Sequence, residues 1–339
     1  MKPRIAVVGA GPGGLTCARI LQVNGVDVTV LEQEQAPDAR AQGGSLDLHA
    51  DSGQVALKAA GLYDRFTALA RPEGQESRLR DHVTADLIRQ DIPDDNFKPE
   101  IDRGQLRALL LDSLTAGTVQ WGRDVRTVEP TGEIQFADNT KTSYDLVIGA
   151  DGAWSRVRAA ISPAVPEYTG ITFVETGFDE RDHPELAELV GNGLMLAKHD
   201  GRAIFGQRNS GGHIRVYLAL RVHASAVDVD KLLEAYDGWH ESLRDFVRHN
   251  DTGFTIRPIH ALPVPHTWAH NPKITLLGDA AHLMPPLGVG ANLAMLDGAE
   301  LAQAVVNGGK DPVQAYESVL LPRSAEIARE VVDGLKTLI

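Results

Sequence analysis

The chain has one cysteine, Cys17, so no disulfide can close within it, and a reducing, cytoplasmic setting is expected. Cys17 lies in an apolar helical stretch and reads as a small packing residue rather than a reactive thiol. Positive charge is scarce: 33 Lys and Arg stand against 46 Asp and Glu, for a net charge of −13. Nucleic acid and anionic membrane surfaces require clustered cations, so neither is an expected partner. No run reaches the roughly 18 apolar residues of a membrane span. The N-terminal apolar run is broken by Gly11-Pro12-Gly13-Gly14, so no signal peptide is expected. Repeats of fixed period and low-complexity linkers are missing, so the lobes must be interleaved along the chain. Metal-ligand clusters are missing too, because His260, His266 and His270 fall in a proline-rich segment without thiol or clustered carboxylate partners.

With 339 residues, 43% of them hydrophobic, the chain can bury a large core. Its most informative stretch is Val7-Val8-Gly9-Ala10-Gly11-Pro12-Gly13-Gly14, followed by a helical segment and then Val28-Thr29-Val30-Leu31-Glu32. Strand, glycine turn, helix and strand form a βαβ unit that holds an ADP group. Gly9 makes the tight turn, Gly11 lets backbone approach a pyrophosphate, and Gly14 lets helix and strand pack closely. The pyrophosphate rests on unpaired N–H groups at the positive end of the helix. Glu32, with Gln33 beside it, ends the second strand where a carboxylate accepts both adenosine ribose hydroxyls. An acid there repels a 2′-phosphate, so FAD or NAD is expected rather than NADP.

Further along, residues 40–49 read as a glycine-containing loop, 52–69 as a helix, 83–90 as a strand and 106–114 as a helix. Short strands are expected from 119 to 136, with turns at Thr131-Gly132 and Asp138-Asn139. Asp145 to Ala150 has the unbroken apolar character of a parallel strand covered on both faces. From about Pro163 to Val222 apolar and polar residues alternate, as in an antiparallel sheet with one covered face. Its other face carries His213, Arg215, Tyr217 and Arg221. An amphipathic helix is expected over 229–248, a buried strand over 274–277, and helices over 293–306 and from 312 to the end.

Two later segments narrow the cofactor. Asp145-Leu146-Val147-Ile148-Gly149-Ala150-Asp151-Gly152 leads to Arg158, and Ile274-Thr275-Leu276-Leu277-Gly278-Asp279 leads through Pro285-Pro286 to Gly290-Ala291-Asn292. A strand ending in Gly278-Asp279 offers a short carboxylate to ribityl and ribose hydroxyls. A helix starting near Gly290 aims free N–H groups at a flavin pyrimidine. With the opening fingerprint, these segments resemble the single-component FAD-dependent aromatic hydroxylases, the p-hydroxybenzoate hydroxylase-like family. Within it the chain looks most like the tetracycline-inactivating flavin monooxygenases, through Gly43-Gly44-Ser45-Leu46-Asp47-Leu48-His49 and Glu100-Ile101-Asp102-Arg103-Gly104-Gln105-Leu106-Arg107.

The resemblance implies an α/β fold: a GR2-type Rossmann-like FAD-binding domain interleaved with a mostly antiparallel substrate domain and a C-terminal helix. The expected boundaries are 1–160 with 258–320 for FAD, 161–257 for substrate, and 321–339 for the helix. It implies FAD contacts from Asp47, Arg103, Arg107, Asp151, Gly152 and Pro286, besides the fingerprint residues, Gly278, Asp279 and Gly290 to Asn292. It further implies NAD(P)H as a transient co-substrate, O₂, and hydroxylation of an aromatic or polycyclic small molecule through a C4a-hydroperoxyflavin, in a monomer or weak homodimer. Glu175, His213, Arg215 and Tyr217 are the substrate-pocket candidates, and no general base is singled out. Glu175, Gly193 and Arg215 stand where the tetracycline-inactivating group uses a glutamine, an arginine and a histidine on the drug, so tetracycline is not the expected substrate. The loop between Pro286 and Asp297 is also a residue shorter. A flavin-dependent halogenase is disfavoured because Trp121, Trp154, Trp239 and Trp268 form no WxWxIP motif. A flavin reductase without oxygen insertion and a non-catalytic nucleotide-binding regulator remain as alternatives.

Overall fold

In the computed structural model, the structure describes residues 3–39, 42–93, 95 and 97–339. Arg40 and Ala41, part of the expected 40–49 loop, lie outside the described residues. Five parallel strands form the first sheet, in the order Ile274–Leu276, Leu146–Gly149, Ile5–Val8, Val28–Leu31, Val119–Gln120. Ile5–Val8 is central and wholly buried, which is why its sequence is continuously apolar. The chain leaves this strand to one side and returns on the other, so a crevice opens at the carboxyl ends, where α/β sheets take their ligands. The fingerprint helix, Pro12–Val23, packs on the sheet beside the helix Gly290–Asn307. A Cβ on Gly13 would stand 2.5 Å from the Ala294 carbonyl oxygen, and one on Gly298 only 2.4 Å from that of Gly13. Small residues at this crossing bring the two helix N-termini together.

A seven-stranded sheet forms the second lobe, in the order Thr255–Ala261, Glu167–Asp179, His213–Leu220, Arg202–Arg208, Leu194–His199, Ser77–Arg80, Leu87–Asp91. Its pairs are antiparallel except that of Leu194–His199 with Ser77–Arg80. One face buries Val174, Ile204, Val216 and Leu218 against Leu186, Tyr236 and Phe246. The opposite face carries Phe173, Phe205 and Tyr217 toward Leu287 and the C-terminal helix. Alternation in the sequence thus separates a dry outer layer from a mixed inner one, as expected.

Several boundaries differ from expectation, each for a local reason. The hairpin Ser77–Arg80 with Leu87–Asp91 lies within the 1–160 segment, yet it extends the second sheet by pairing beside Leu194–His199. The strand expected over 83–90 begins only at Leu87, because Asp81 accepts from the N–H groups of Val83 and Thr84 and closes a turn. Gly61, at φ +68°, splits the helix expected over 52–69 into Gly53–Ala59 and Tyr63–Thr67. Of the helix expected over 229–248 only Glu241–Arg248 is α-helical; Gly238, at φ +83°, interrupts the chain before it. The last helix runs unbroken from Pro312 to Leu338, close to the helix expected from 312 to the end. Within the 40–49 loop, Ser45–Asp47 forms a two-stranded ribbon with Glu100–Asp102. Cys17 is buried, and burial pushes its thiol up to about 12, consistent with a packing role.

Candidate functional site

Gly9 follows the central strand at φ +107°, where a Cβ would stand 2.3 Å from the Ala150 carbonyl oxygen. Gly14 is equally confined, 2.3 Å from the Gly9 oxygen, whereas nothing lies within 4 Å of a Cβ on Gly11. Gly9 builds the turn, Gly14 lets the helix pack against the strand, and Gly11 leaves an open space above them. No side chain caps the helix at Gly11. Among the described residues nothing accepts from the N–H groups of Gly11, Gly13 or Gly14. Pro12, at the first helical position, has no N–H to leave unpaired. A cradle of free donors at a helix start, roofed by empty space, suits a pyrophosphate.

Glu32 is buried beside this cradle. Its Oε2 accepts from the Ala10 N–H at 2.7 Å and its Oε1 from the Glu34 N–H at 2.9 Å. Each oxygen keeps a further lone pair, so the carboxylate is held in place without being saturated. Gln33 is exposed next to it. Arg107 faces the protein: it donates to the Ala10 and Pro37 carbonyls and pairs with Glu34 at 2.8 Å, with its guanidinium 5.4 Å from the Trp121 ring centre. These contacts fasten it to the segment that follows Glu32.

The other end of the cleft is formed by the Gly278 turn, at φ +57°, and by Asp279. The Asp279 Oδ1 is 3.9 Å from where a Gly290 Cβ would stand. No group among the described residues donates to the Asp279 carboxylate, and burial raises its pKa above the ordinary value. A partly buried carboxylate without a donor is costly, and hydroxyls of a ligand would relieve that cost. The helix starting at Gly290 also lacks a side-chain cap, and the N–H groups of Gly290, Ala291 and Asn292 have no acceptor among the described residues. The Asn292 side chain is occupied: its amide donates to the Asp47 carbonyl at 2.7 Å and its oxygen accepts from the His49 N–H at 2.8 Å. It fastens the Ser45–Asp47 ribbon to the helix, leaving only its backbone to face the cleft. Asp47 pairs with His49 at 3.1 Å and lies 3.7 Å from a Cβ position on Gly288. Pro286 is exposed on the same loop, and Arg103 is exposed with no hydrogen-bond partner among the described residues for its guanidinium.

Asp151 and Gly152 form a closed local turn. The Asp151 carboxylate accepts from the Ser155 hydroxyl at 2.6 Å and the Arg156 and Val157 N–H groups at 2.7 and 3.2 Å, closing its own turn. Gly152 supplies the φ of +77° that this turn needs. Arg158 is buried and donates to the carbonyls of Ala153, Ala164 and Ala280. The segment ties the parallel sheet to the Asp279 turn, and a short-range sequence reading cannot see that bond.

Two groups, Asp297 and Glu100, were given no role by the sequence. Asp297 is fully buried and accepts from the Gly278 N–H at 2.9 Å, His282 Nε2 at 2.6 Å and Arg323 at 2.8 Å. Burial opposes charge on His282, but Asp297 outweighs it and holds the imidazole above its ordinary pKa. This ion cluster fixes the Gly278 turn, so His282 positions the cleft rather than entering it. Glu100, register partner of Asp47, is buried and accepts from the Ser45 hydroxyl. No spacing signal marks either group, because their partners come from distant parts of the chain.

On the inner face of the second sheet, Glu175 accepts from both Arg215 and Arg257. A Cβ on Gly44 would stand 3.1 Å from each of Arg215, Gln207 and Tyr217. The glycine loop beside the Ser45–Asp47 ribbon therefore lies directly on these side chains. Phe173 packs 6.0 Å from Phe205 and 6.3 Å from Tyr217, ring centre to ring centre. Burial raises the Tyr217 pKa, keeping the phenol neutral. His213 lies farther along the strand, against Gly177 beside Asp179. Gly193 is outside this pocket, since a Cβ there would stand 2.2 Å from the Glu76 carbonyl oxygen.

Comparison with known proteins agrees with this geometry. The family model described as "FAD binding domain" matches residues 2–330. The monooxygenase asqM of Emericella nidulans is 30% identical, over 88% of this chain and 83% of its own. The 3-amino-4-hydroxybenzoate 2-monooxygenase of Streptomyces cremeus is 32% identical, over 96% of this chain and 85% of its own. Among solved structures, Klebsiella pneumoniae HpxO complexed with FAD and uric acid superposes with a TM-score of 0.82 at 21% identity, covering 98% of this chain and 88% of that one. The uncapped helix starts, the unpaired Asp279 and the family match converge: the chain belongs to the FAD binding domain family and is an FAD-dependent monooxygenase.

Proposed function

We propose that this enzyme uses NAD(P)H and O₂ to hydroxylate a small aromatic molecule bearing an anionic or phenolic group. When bound, FAD supplies the two-electron and oxygen chemistry, so the protein needs neither nucleophile nor metal. In this reading the N–H groups of Gly11, Gly13 and Gly14 hold the pyrophosphate and Glu32 the adenosine ribose. Arg103 adds charge near the phosphates, and Asp279 accepts from ribityl hydroxyls. The N–H groups from Gly290 to Asn292 place partial positive charge at the pyrimidine end, which favours an anionic reduced flavin. The 77–91 hairpin joins the substrate-binding part, with residues 161–257, and the remaining parallel-sheet segments form the FAD-binding part.

The observation that carries the substrate class is the inner sheet face. Phe173, Phe205 and Tyr217 give flat apolar walls, while Arg215 and Arg257 share the single carboxylate of Glu175. That trio keeps one net positive charge beside the aromatic surface, which suits a carboxylate or phenolate substituent. The Streptomyces cremeus relative is named for a hydroxybenzoate, a ring with such groups. Tyr217 stays neutral and donates a hydrogen bond that orients the ring, and closure of Gly44 over these groups excludes water from the reacting edge.

The test is turnover under ¹⁸O₂ with a panel of hydroxybenzoates, phenols and polycycles. One labelled oxygen should enter the organic product as NAD(P)H is consumed. NAD(P)H oxidation with an unlabelled product would instead identify a reductase. Asp279→Ala should weaken FAD binding about tenfold to a hundredfold, the loss of one or two hydrogen bonds to a charged acceptor, with the thermal unfolding of the apoprotein little changed. Titration with FAD reads this directly, and unaltered affinity would remove Asp279 from the site.

A further inference from the structure

The strand Leu87–Asp91 is the outermost of the seven-stranded sheet, and all five of its residues are exposed. Ile88 and the adjoining Ile92 are 60% and 68% exposed. Edge strands are usually blunted by lysine, proline or a bulge, because their outward N–H and C=O groups accept any passing strand. Here the run Leu87-Ile88-Arg89-Gln90-Asp91-Ile92 has no lysine, and its blunting features stand at its two ends, a pairing irregularity beside Leu87 and Pro93 just after Ile92. From Arg89 to Asp91 the edge is regular and open.

Its side chains are complementary to themselves. Arg89 and Asp91 share one face, 2.7 Å apart, and Gln90 takes the other, flanked by Ile88 in the pairing irregularity and Ile92 just past the strand. An antiparallel copy placed by a two-fold axis at Gln90 sets Arg89 opposite Asp91 twice, and Ile88 opposite Ile92 twice. Moving the axis to Arg89 or Asp91 sets like charges against each other and pairs an isoleucine with Gln90. The charge pattern therefore specifies a single register. The Gln90 amide donates inward to Glu76 at 2.6 Å and does not obstruct the approach. Within residues 87–92 the strip carries one charge of each sign, on a chain of net charge −13.

We propose that this edge is a homodimer interface, in which two copies join strand to strand about Gln90 into one continuous sheet with an isologous, closed contact. The parent protein with bound FAD should show a monomer–dimer equilibrium in sedimentation velocity. Arg89→Asp and Asp91→Arg should each weaken the dimer about tenfold or more, since each turns two attractive cross-strand pairs repulsive. The double exchange Arg89→Asp/Asp91→Arg should restore it, and so should an equimolar mixture of the two single variants, where opposite charges meet again. Ile88→Lys/Ile92→Lys should give monomer. Retained flavin absorbance in every variant shows that the fold persists. A parent that remains monomeric up to about 100 μM overturns the proposal, because an affinity weaker than that is negligible. A dimer indifferent to the single exchanges, or not restored by their combination, overturns it equally.

Discussion

Gly11→Val should fold as the parent does and emerge colourless. Nothing lies within 4 Å of a Cβ at this position, and the residue caps its helix at φ −81° and ψ 173°, an extended conformation open to valine. The apoprotein therefore has no reason to lose stability. The valine side chain would instead occupy the space above the free N–H groups of Gly13 and Gly14. Displacing a pyrophosphate from two or more such donors costs on the order of 3 kcal/mol, a hundredfold or greater rise in the FAD dissociation constant. Gly9→Ala is the contrasting variant: with φ at +107° and the Ala150 oxygen 2.3 Å away, it should damage the fold itself. Flavin release and thermal unfolding distinguish the two. If Gly11→Val still purified yellow with parental affinity, the pyrophosphate would lie elsewhere.

The stability of the parent should fall as pH rises through the acid range, and Glu100→Gln should abolish much of that fall. Burial, reinforced by the neighbouring Asp47 charge, pushes the Glu100 carboxyl up to about 7 from the ordinary 4.5, against the opposing effects of the Ser45 hydroxyl and Arg71. Between those pH values the folded protein holds a proton that the unfolded chain has released, so each step upward favours unfolding. The contribution is complete below about pH 4.5 and lost once pH passes about 7, a change of about 3 kcal/mol for this shift. Glutamine is neutral throughout. The difference between variant and parent in urea unfolding should therefore swing toward the variant by about that amount across the window. Parallel profiles would show that Glu100 ionises freely. The same carboxyl lies in the ribbon opposite Asp47, so its protonation is linked to the ribbon's stability.

Legibility tracked the range over which each interaction acts. The fingerprint, the Gly278 turn and the helix start at Gly290 were readable because backbone conformation and free N–H groups are set by adjacent residues. Alternation in Ile214, Val216 and Leu218 likewise marked the apolar face that packs against Phe246 and Tyr236, while the cover of the other face by Leu287 and the C-terminal helix was not legible. The side chains of Arg107, Asp151 and Asn292 each have protein partners that the sequence did not reveal. Each is engaged by groups its own segment does not reveal: Glu34 for Arg107, Ser155 and two turn amides for Asp151, Asp47 and His49 for Asn292. The pairing of the 77–91 hairpin was not legible for a related reason, since its neighbour in the sheet, Leu194–His199, is more than a hundred residues away.

The amino-acid order alone determined the cofactor class, the parallel and antiparallel lobes and the absence of any internal disulfide, because each follows from local backbone requirements, periodicity or residue counts. Only the tertiary structure decided which polar groups remain free for a ligand and which are consumed in bracing. Asp279 and Asp151 carry the same carboxylate at the end of similar strands, and one is unpaired while the other is saturated. The partners that fill a lone pair are chosen by packing in three dimensions, and one-dimensional spacing does not encode them.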